Sequence, residues 1–247
     1  MNGYKAKFIR LFMGLKIPKI SSLLAEETGW HIGDGSMNYY RNRSGIQGFY
    51  QLRGHINDDR DHYINYIKQA YQELYGIDIS LRTMPSTGVF GFQKWGDNLL
   101  EFKRKLGLPL GKKWAVFIPP LFLKNNFLIV AVIRGIFDTD GCVYIEDKRG
   151  RPYPRLEMKT LSEKLAHQLF VLLNALGLRT TQYLQRAYPE SGVPNPEWVI
   201  VIRGHDTVQK FFDVIKPKNR KHIDKYQYYI ISALFCQENS KKAFKSS

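Results

Sequence analysis

Two aspartates, Asp34 and Asp140, each precede a glycine and lie in similar short stretches of sequence. The first lies in "TGWHIGDGS" and the second in "IRGIFDTDGCV", 106 residues further along the chain. Carboxylate oxygens are hard ligands that suit divalent cations such as Mg²⁺. If the fold brings the two acids together, they could hold a cation and support metal-assisted hydrolysis.

Three structures could produce an Asp-Gly pair in this context. A hairpin turn needs strands on both sides, but "NNFLIVAVIRGIF" before the second copy is long and compatible with a buried helix. A calcium loop needs an acid at its first position, where this chain has Ile136. The third structure, a helix that ends on the acid, accounts for both copies.

The spacing of small residues indicates how two such helices would pack. Gly29 and Gly33 are four residues apart, as are Gly135 and Thr139, so each pair lies on one face of a helix. Small residues at this spacing allow two helix backbones to approach closely. We expect Gly29 and Gly135 at this helix interface, with Asp34 and Asp140 side by side.

The placement of these acids is locally unfavourable. A carboxylate in the last turn faces the negative end of the helix dipole, which costs about 0.3 to 1 kcal/mol, and a second carboxylate adds repulsion. Such conflicts are typical of functional sites, and a bound cation would relieve this one. We also expect the glycines that follow, Gly35 and Gly141, to end the helices in the left-handed conformation.

The elements that must position these acids also occur twice. In each half the acid is followed by an alternating strand, a helix, two further strands and a closing helix. Gly76 is predicted to end the first of these helices and Ser162 to cap its counterpart. The chain is therefore predicted to be an α+β protein made of two pseudo-symmetric αββαββα repeats. The Pro, Gly and Lys-rich stretch "LGLPLGKKWAVFIPPLFLKNN" joins them, which predicts domains 1–118, with a basic N-terminal extension, and 119–247.

Composition narrows the class of partner. The chain has 37 Lys and Arg against 22 Asp and Glu, a net charge of +15, which favours a polyanion such as nucleic acid. Its two cysteines provide neither a disulfide framework nor a zinc site. The longest apolar stretch is too short to span a bilayer and no secretory leader is evident, so we expect an intracellular protein, in a prokaryotic cytoplasm or an organelle.

The two motifs and the repeated element order resemble the single-chain, double-motif LAGLIDADG homing endonucleases of the intron-encoded type. The resemblance extends over nearly the whole chain, including "LGKKWAVFIPP" and "KNRKHIDKYQ". The first motif departs from the family pattern at Glu27, Thr28 and His31, where small or apolar residues are usual. The resemblance implies motif helices at a pseudo-twofold interface and two curved antiparallel sheets in the major groove of double-stranded DNA.

The resemblance also implies an activity and its residues. A functional monomer would cut both strands of a long, intronless target, leave 3′ overhangs and promote intron homing. Mg²⁺, or Mn²⁺ in its place, would be held by Asp34 and Asp140 with Gly33 and Thr139. The basic residue near each scissile phosphate corresponds to Lys113 or Lys112 and to Lys221 or Lys218. Asp138 is not expected to be catalytic, because the first motif has Ile32 there.

The alternating strands carry side chains suited to base edges and phosphates. The predicted DNA-binding residues are Arg41, Arg43, Gln47, Gln51, Arg53, His55, Arg149, Arg151, Arg155, Lys159, Arg179 and Gln185. The Tyr and Phe residues of the strands are expected to pack in the core. One alternative function remains open at this point: an RNA maturase that binds intron RNA, or a DNA-binding protein that does not cleave, with the same fold.

Overall fold

A computed structural model of the protein describes residues 14–43, 45–188, 190 and 195–245, without the side chains of Asn42 and residues 237–245. The first 13 residues of the predicted basic N-terminal extension lie outside the described residues. Across these described segments, no helix combines the length and the apolar composition that a membrane span requires.

The first half has the predicted order of elements. It contains α1 (Ser22–Gly33), β1 (Gly35–Asn42), β2 (Gly45–His55), α2 (Arg60–His62, a π-helical turn Tyr63–Ile67, and Lys68–Tyr75), β3 (Arg82–Met84), β4 (Val89–Trp95) and α3 (Asp97–Lys105). As predicted, α2 ends at Gly76, whose φ of 67° lies in the left-handed region. The third strand is shorter than the stretch "IDISLRTM" suggested. Ile77 and Ile79 are buried in the core as irregular chain before β3 begins.

The second half repeats this order and adds one helix. It contains α4 (Asn126–Asp140), β5 (Gly141–Asp147), β6 (Pro152–Thr160), α5 (Glu163–Ala175), β7 (Thr180–Gln185), β8 (Glu197–Arg203), α6 (His205–Ile215) and α7 (Arg220–Lys245). The Ser162 hydroxyl accepts a hydrogen bond of 3.2 Å from the Leu165 N–H, so Ser162 caps α5 as predicted.

The two sheets have the same topology. Their strand orders are β1-β2-β4-β3 and β5-β6-β8-β7, with every described pair antiparallel. Each sheet packs one face against helices of its own half. The opposite face of the first sheet is open, whereas that of the second sheet includes the buried side chains of Glu157, Val199 and Val201. The predicted α+β class and its two αββαββα repeats are therefore confirmed.

The segment between α3 and α4 packs on both halves. The Gly111 N–H donates to the Met37 carbonyl oxygen of β1 at 2.9 Å. In the other direction, the Ile118 N–H donates to the Gln168 side chain of α5 at 2.8 Å. Because the segment is attached to both repeats, the boundary near residue 118 stays a prediction.

Candidate active site and nucleic-acid interface

Helices α1 and α4 meet backbone to backbone at two glycines. A methyl group built on Gly29 would lie 2.8 Å from the Gly135 Cα, and one built on Gly135 would lie 3.0 Å from the Gly29 Cα. Both distances are too short for carbon atoms in van der Waals contact. One turn further on, a methyl group on Gly33 would lie 3.3 Å from the Asp140 Cγ. The small residues therefore bring the ends of the two helices together.

Both acids stand at a helix end. The Asp34 N–H donates to the Trp30 carbonyl oxygen at 2.9 Å and so completes α1, whereas Asp140 is the last residue of α4. Each helix then leads directly into the first strand of its sheet. The two carboxylates are thereby fixed where the helix pair meets the sheets.

The prediction that Gly35 and Gly141 adopt the left-handed conformation is wrong. Gly141 is extended, with φ −76° and ψ 156°, and Gly35 has no positive φ either. Their requirement is for space, since a methyl group on Gly35 would lie 2.6 Å from the His31 Cα and one on Gly141 would lie 2.7 Å from the Phe137 Cε2. These glycines allow each strand to turn tightly off its helix.

The two acids lie among other ionisable groups, which affect their pKa values. Asp34 is half-buried, and burial raises its pKa well above the ordinary value, with the negative charge of Asp140 as the next contribution. The Tyr63 hydroxyl donates to Asp34 Oδ2 at 3.2 Å. Asp140 reaches solvent, yet the protein around its carboxylate raises its pKa too, against the charges of Lys113 and Lys221. Each acid is thus surrounded by ionisable groups.

One lysine approaches each motif from outside its own helix. The Lys113 ammonium donates to the carbonyl oxygens of Ile32, at 2.8 Å, and Gly33. The Lys221 ammonium donates to the carbonyl oxygen of Thr139 at 3.1 Å. In both halves the lysine therefore contacts the carbonyl group that directly precedes the acid. Burial lowers the pKa of Lys113, which the charges of the two acids oppose.

The alternative lysines lie elsewhere. Lys112 is exposed, with its ammonium 4.4 Å from the centre of the Trp114 ring. The Lys218 ammonium pairs with Glu26 Oε2 at 3.0 Å. The structure thus brings Lys113 and Lys221, rather than these neighbours, to the pair of acids.

Two buried acids lie near Lys221: Asp59, which the sequence did not single out, and Asp138, which was set aside as not catalytic. Asp59 is 3% exposed and lies 2.7 Å from the Lys221 ammonium. Asp138 is fully buried and accepts hydrogen bonds from the N–H groups of Lys218, at 3.0 Å, and Asn219, at 3.1 Å. Burial raises the pKa of Asp138 to about 7. Asp138 therefore anchors the segment that carries Lys221. Asp59 can be recognised as part of the site only from its tertiary contact with Lys221.

The polar residues of the first motif have internal partners. Glu27 is fully buried with Lys103, and it accepts hydrogen bonds from the hydroxyls of Tyr71, at 2.6 Å, and Tyr75, at 2.8 Å. His31 stacks on the Tyr50 ring, with 5.5 Å between the ring centres. The departures from an apolar motif are thus accommodated by the first half itself.

The oxygen atoms at the two helix ends could hold a divalent cation. They comprise the carboxylates of Asp34 and Asp140 and the carbonyl groups of Gly33 and Thr139, all of which are hard ligands. Within the described segments, no cluster of three or more His, Cys, Asp or Glu forms a complete metal cage. A donor set of this kind fits Mg²⁺, which proteins often bind through one or two carboxylates with substrate phosphates completing the shell.

The open face of the first sheet is largely polar, and its described strands β1 to β4 contain no acidic residue. The β2 side chains of Gln47, Gln51, Arg53 and His55 lie on it, as predicted from their alternation. Arg82 of β3 and Gln93 of β4 join the same face, where Gln93 Nε2 donates to Gln51 Oε1 at 3.3 Å. Arg41 and Arg43 are exposed at the end of β1 and in the turn that follows.

Three aromatic residues share this open face, contrary to the expectation that such rings pack in the core. Tyr40, Phe49 and Trp95 form a cluster with ring centres 4.7 to 6.4 Å apart. Tyr40 and Trp95 are each 48% exposed. The first sheet therefore combines amide and guanidinium groups with an apolar patch at one end.

The corresponding face of the second sheet has a different charge pattern. Arg155 is paired with Glu146 at 2.7 Å and with Glu157 at 3.3 Å, so its guanidinium already has carboxylate partners. Lys159 donates to the Gln185 side chain at 3.2 Å. The remaining predicted residues are exposed at strand ends, Arg149 and Arg151 between β5 and β6 and Arg179 just before β7.

Comparison with known proteins agrees with this architecture. Residues 128–216 match a family described as a LAGLIDADG-like domain. Solved structures of similar fold include variants of the homing endonuclease I-DmoI, with a TM-score of 0.56 and 16% identity over 80% of this chain and 97% of that one. They also include the LAGLIDADG meganuclease I-AabMI bound to uncleaved DNA (TM-score 0.56, 12% identity, 89% and 93% covered) and I-GzeII with its DNA target (0.54, 11%, 90% and 92%). No curated protein sequence matches the chain.

The fold and the paired helix ends thus define a class of protein with two pseudo-equivalent repeats around one central pair of motif helices. The chain has the double-motif LAGLIDADG homing-endonuclease fold, and its second half contains a LAGLIDADG-like domain. The resemblance recognised in the sequence is therefore confirmed.

Proposed function

We propose that the protein is a site-specific endonuclease that hydrolyses one phosphodiester bond in each strand of a long double-stranded DNA target. The observation that carries the proposal is the repeated arrangement of acid, preceding carbonyl group and lysine at the ends of α1 and α4. The open face of the first sheet and the net charge of +15 support DNA as the substrate. Similar proteins have been solved with DNA bound.

We also propose that a divalent cation, Mg²⁺ or Mn²⁺, is the cofactor. I-DmoI has been solved in complex with DNA and Ca and with DNA and Mn. In this chain Asp34 and Asp140 would hold the cation, with the carbonyl groups of Gly33 and Thr139. When bound, the cation would activate water and stabilise the charge of the leaving oxygen.

The residues of the chain supply position and charge. Lys113 and Lys221 place an ammonium group beside each acid, where it can offset negative charge that develops on a phosphate. The sheets orient the duplex, with Gln47, Gln51 and Arg53 suited to base edges. We propose that the two half-sites act in one functional monomer that cuts both strands. The family resemblance further implies that the cuts leave 3′ overhangs in an intronless site and promote intron homing.

A cleavage selection tests this function. A pool of randomised duplexes is incubated with the protein in Mg²⁺ or in EDTA, and the cut ends are captured and sequenced. The expected result is cleavage of both strands at one sequence family in Mg²⁺, with 3′ overhangs, and no cleavage in EDTA. A parallel binding assay uses structured intron RNA. Binding to that RNA, with every duplex left uncut, would contradict the proposal and favour a maturase.

A further inference from the structure

The two lysine segments are each held by the residue that precedes a helix of the opposite half. Ser162, before α5, donates its hydroxyl to the Val116 carbonyl oxygen at 2.6 Å, in the segment that carries Lys113. Asp59, before α2, accepts a hydrogen bond of 2.7 Å from the Asn219 side chain, in the segment that carries Lys221. Asp59 and Ser162 therefore occupy equivalent positions in the two repeats.

The two positions differ in chemistry. The Asp59 carboxylate forms an ion pair of 2.7 Å with the Lys221 ammonium. A serine hydroxyl carries no charge, and within the described part of the chain Lys113 forms no ion pair with a carboxylate. Only one of the two lysines that approach the acids is thus held by an anion.

Asp59 is itself firmly placed. Its Oδ2 accepts a hydrogen bond of 2.6 Å from the His55 N–H, while its Oδ1 contacts Asn219 and Lys221. Because Asp59 is buried and tied to the backbone, it restricts where the Lys221 ammonium can lie.

We propose that Asp59 is a positioning residue for Lys221, so that the cut of one DNA strand depends on this carboxylate and the cut of the other does not. The inference rests on the proposed endonuclease function. Loss of Asp59 would leave one half-site with a poorly placed lysine and the other half-site intact. The variant would then nick one particular strand before it completes the double-strand break.

The test measures the cleavage rate of each strand on a duplex from the selection, end-labelled on one strand at a time. Asp59→Asn keeps the shape of the side chain, and Asp59→Ser installs the residue found at the equivalent position of the other repeat. Lys221→Met and Lys113→Met identify the strand that depends on each lysine. Asp61→Asn, an exposed acid two residues away, is the matched control.

Both Asp59 variants are expected to slow the strand that Lys221→Met slows, by about 10 to 100-fold, as is usual for residues that orient a reactive group. The other strand should keep its rate, nicked duplex should accumulate, and duplex affinity should be unchanged. In a Lys221→Met background, Asp59→Asn should cause no further loss. Equal slowing of both strands by a folded variant, or additive losses in the double variant, would overturn the proposal.

Thermal unfolding tests the pairing independently of cleavage. Lys221→Met leaves Asp59 buried without its cation, so it should lower Tm more than Lys113→Met does. In an Asp59→Asn background, the Tm losses caused by Lys221→Met and by Lys113→Met should differ less. Equal Tm losses for the two lysine variants would overturn the inference even if Asp59→Asn does not fold. Failure of the wild-type protein to cut any duplex would instead count against the proposed function.

Discussion

At the scale of single residues, the site concentrates like charges at one point. The negative charges of Asp140 and Asp59 add to burial in raising the pKa of Asp34. Lys113 and Lys221 offset part of this charge. A cation held between the helix ends would offset the rest, which is the physical reason to expect one here.

A histidine next to this site should control part of the pH dependence of stability. His62 is buried against the rings of Trp30 and Tyr66, and burial lowers its pKa to about 4. The unfolded chain, with a His pKa near 6.5, then binds more protons than the folded protein between these values. The stability that neutral His62 contributes is therefore fully present above about pH 6.5 and is lost as the pH falls towards 4.

We expect His62→Phe to remove the loss of stability that protonation of His62 causes at low pH. The difference in free energy of unfolding between wild type and variant should change by up to about 3 kcal/mol between pH 6.5 and pH 4, at roughly 1.4 kcal/mol per pKa unit. Urea unfolding at a series of pH values measures it. If the free energy of unfolding changes with pH to the same extent in both proteins, His62 is not held neutral in the folded state.

The sequence predicted the residues whose pattern repeats. Asp34 and Asp140 were predicted because two similar motifs imply two similar roles, and Asp138 was set aside because the first motif has Ile32 in its place. Asp59 could not be found in this way. Its meaning depends on a contact with Lys221, 162 residues later, and "NDDRD" reads as a run of surface charges.

At the scale of elements, the pair α1 and α4 positions the two acids. The glycine contact sets how closely the helices approach, and that approach sets the separation of the acids. The sequence predicted this pair correctly from residues four apart. It misjudged Gly35 and Gly141, because a glycine needed for space and one needed for a positive φ look the same in a sequence.

Gly135→Ala tests the helix contact. In an exposed helix this change would stabilise the protein by up to about 1 kcal/mol. Here the new methyl group would press against the backbone of α1, so we expect a net loss of about 1 to 3 kcal/mol, as for other overpacked sites. Denaturant unfolding gives the sign directly. A stabilised variant would contradict the close approach.

The aromatic cluster on the first sheet offers a second prediction at this scale. Apolar side chains in the major groove can contact the methyl group of thymine. We expect Trp95→Ala to weaken binding to the selected duplex. Replacement of thymine by uracil at one end of the DNA segment that contacts the first sheet should weaken binding by the wild-type protein but not by the variant. Fluorescence anisotropy measures both. Equal effects of uracil on the two proteins would exclude a methyl contact.

At the scale of the whole molecule, two repeats with one topology surround the site. Each repeat provides one acid, but of the two lysines only Lys221, paired with Asp59, has a carboxylate partner among the described residues. The described strands of the first sheet contain no acidic residue, whereas in the second sheet Arg155 is engaged by Glu146 and Glu157. The overall charge and the repeat were visible in the sequence. The difference between the faces was not, because it depends on which side chains meet across strands.

The most direct test of the central claim is the rate of double-strand cleavage by Asp140→Asn, measured together with its affinity for the same duplex. The substitution keeps the shape of the side chain and removes the charge that would hold the cation. We predict that cleavage falls by at least about 10³-fold while the Kd for the duplex stays within a few fold. Cleavage of both strands at the wild-type rate would show that the paired acids are not the active site.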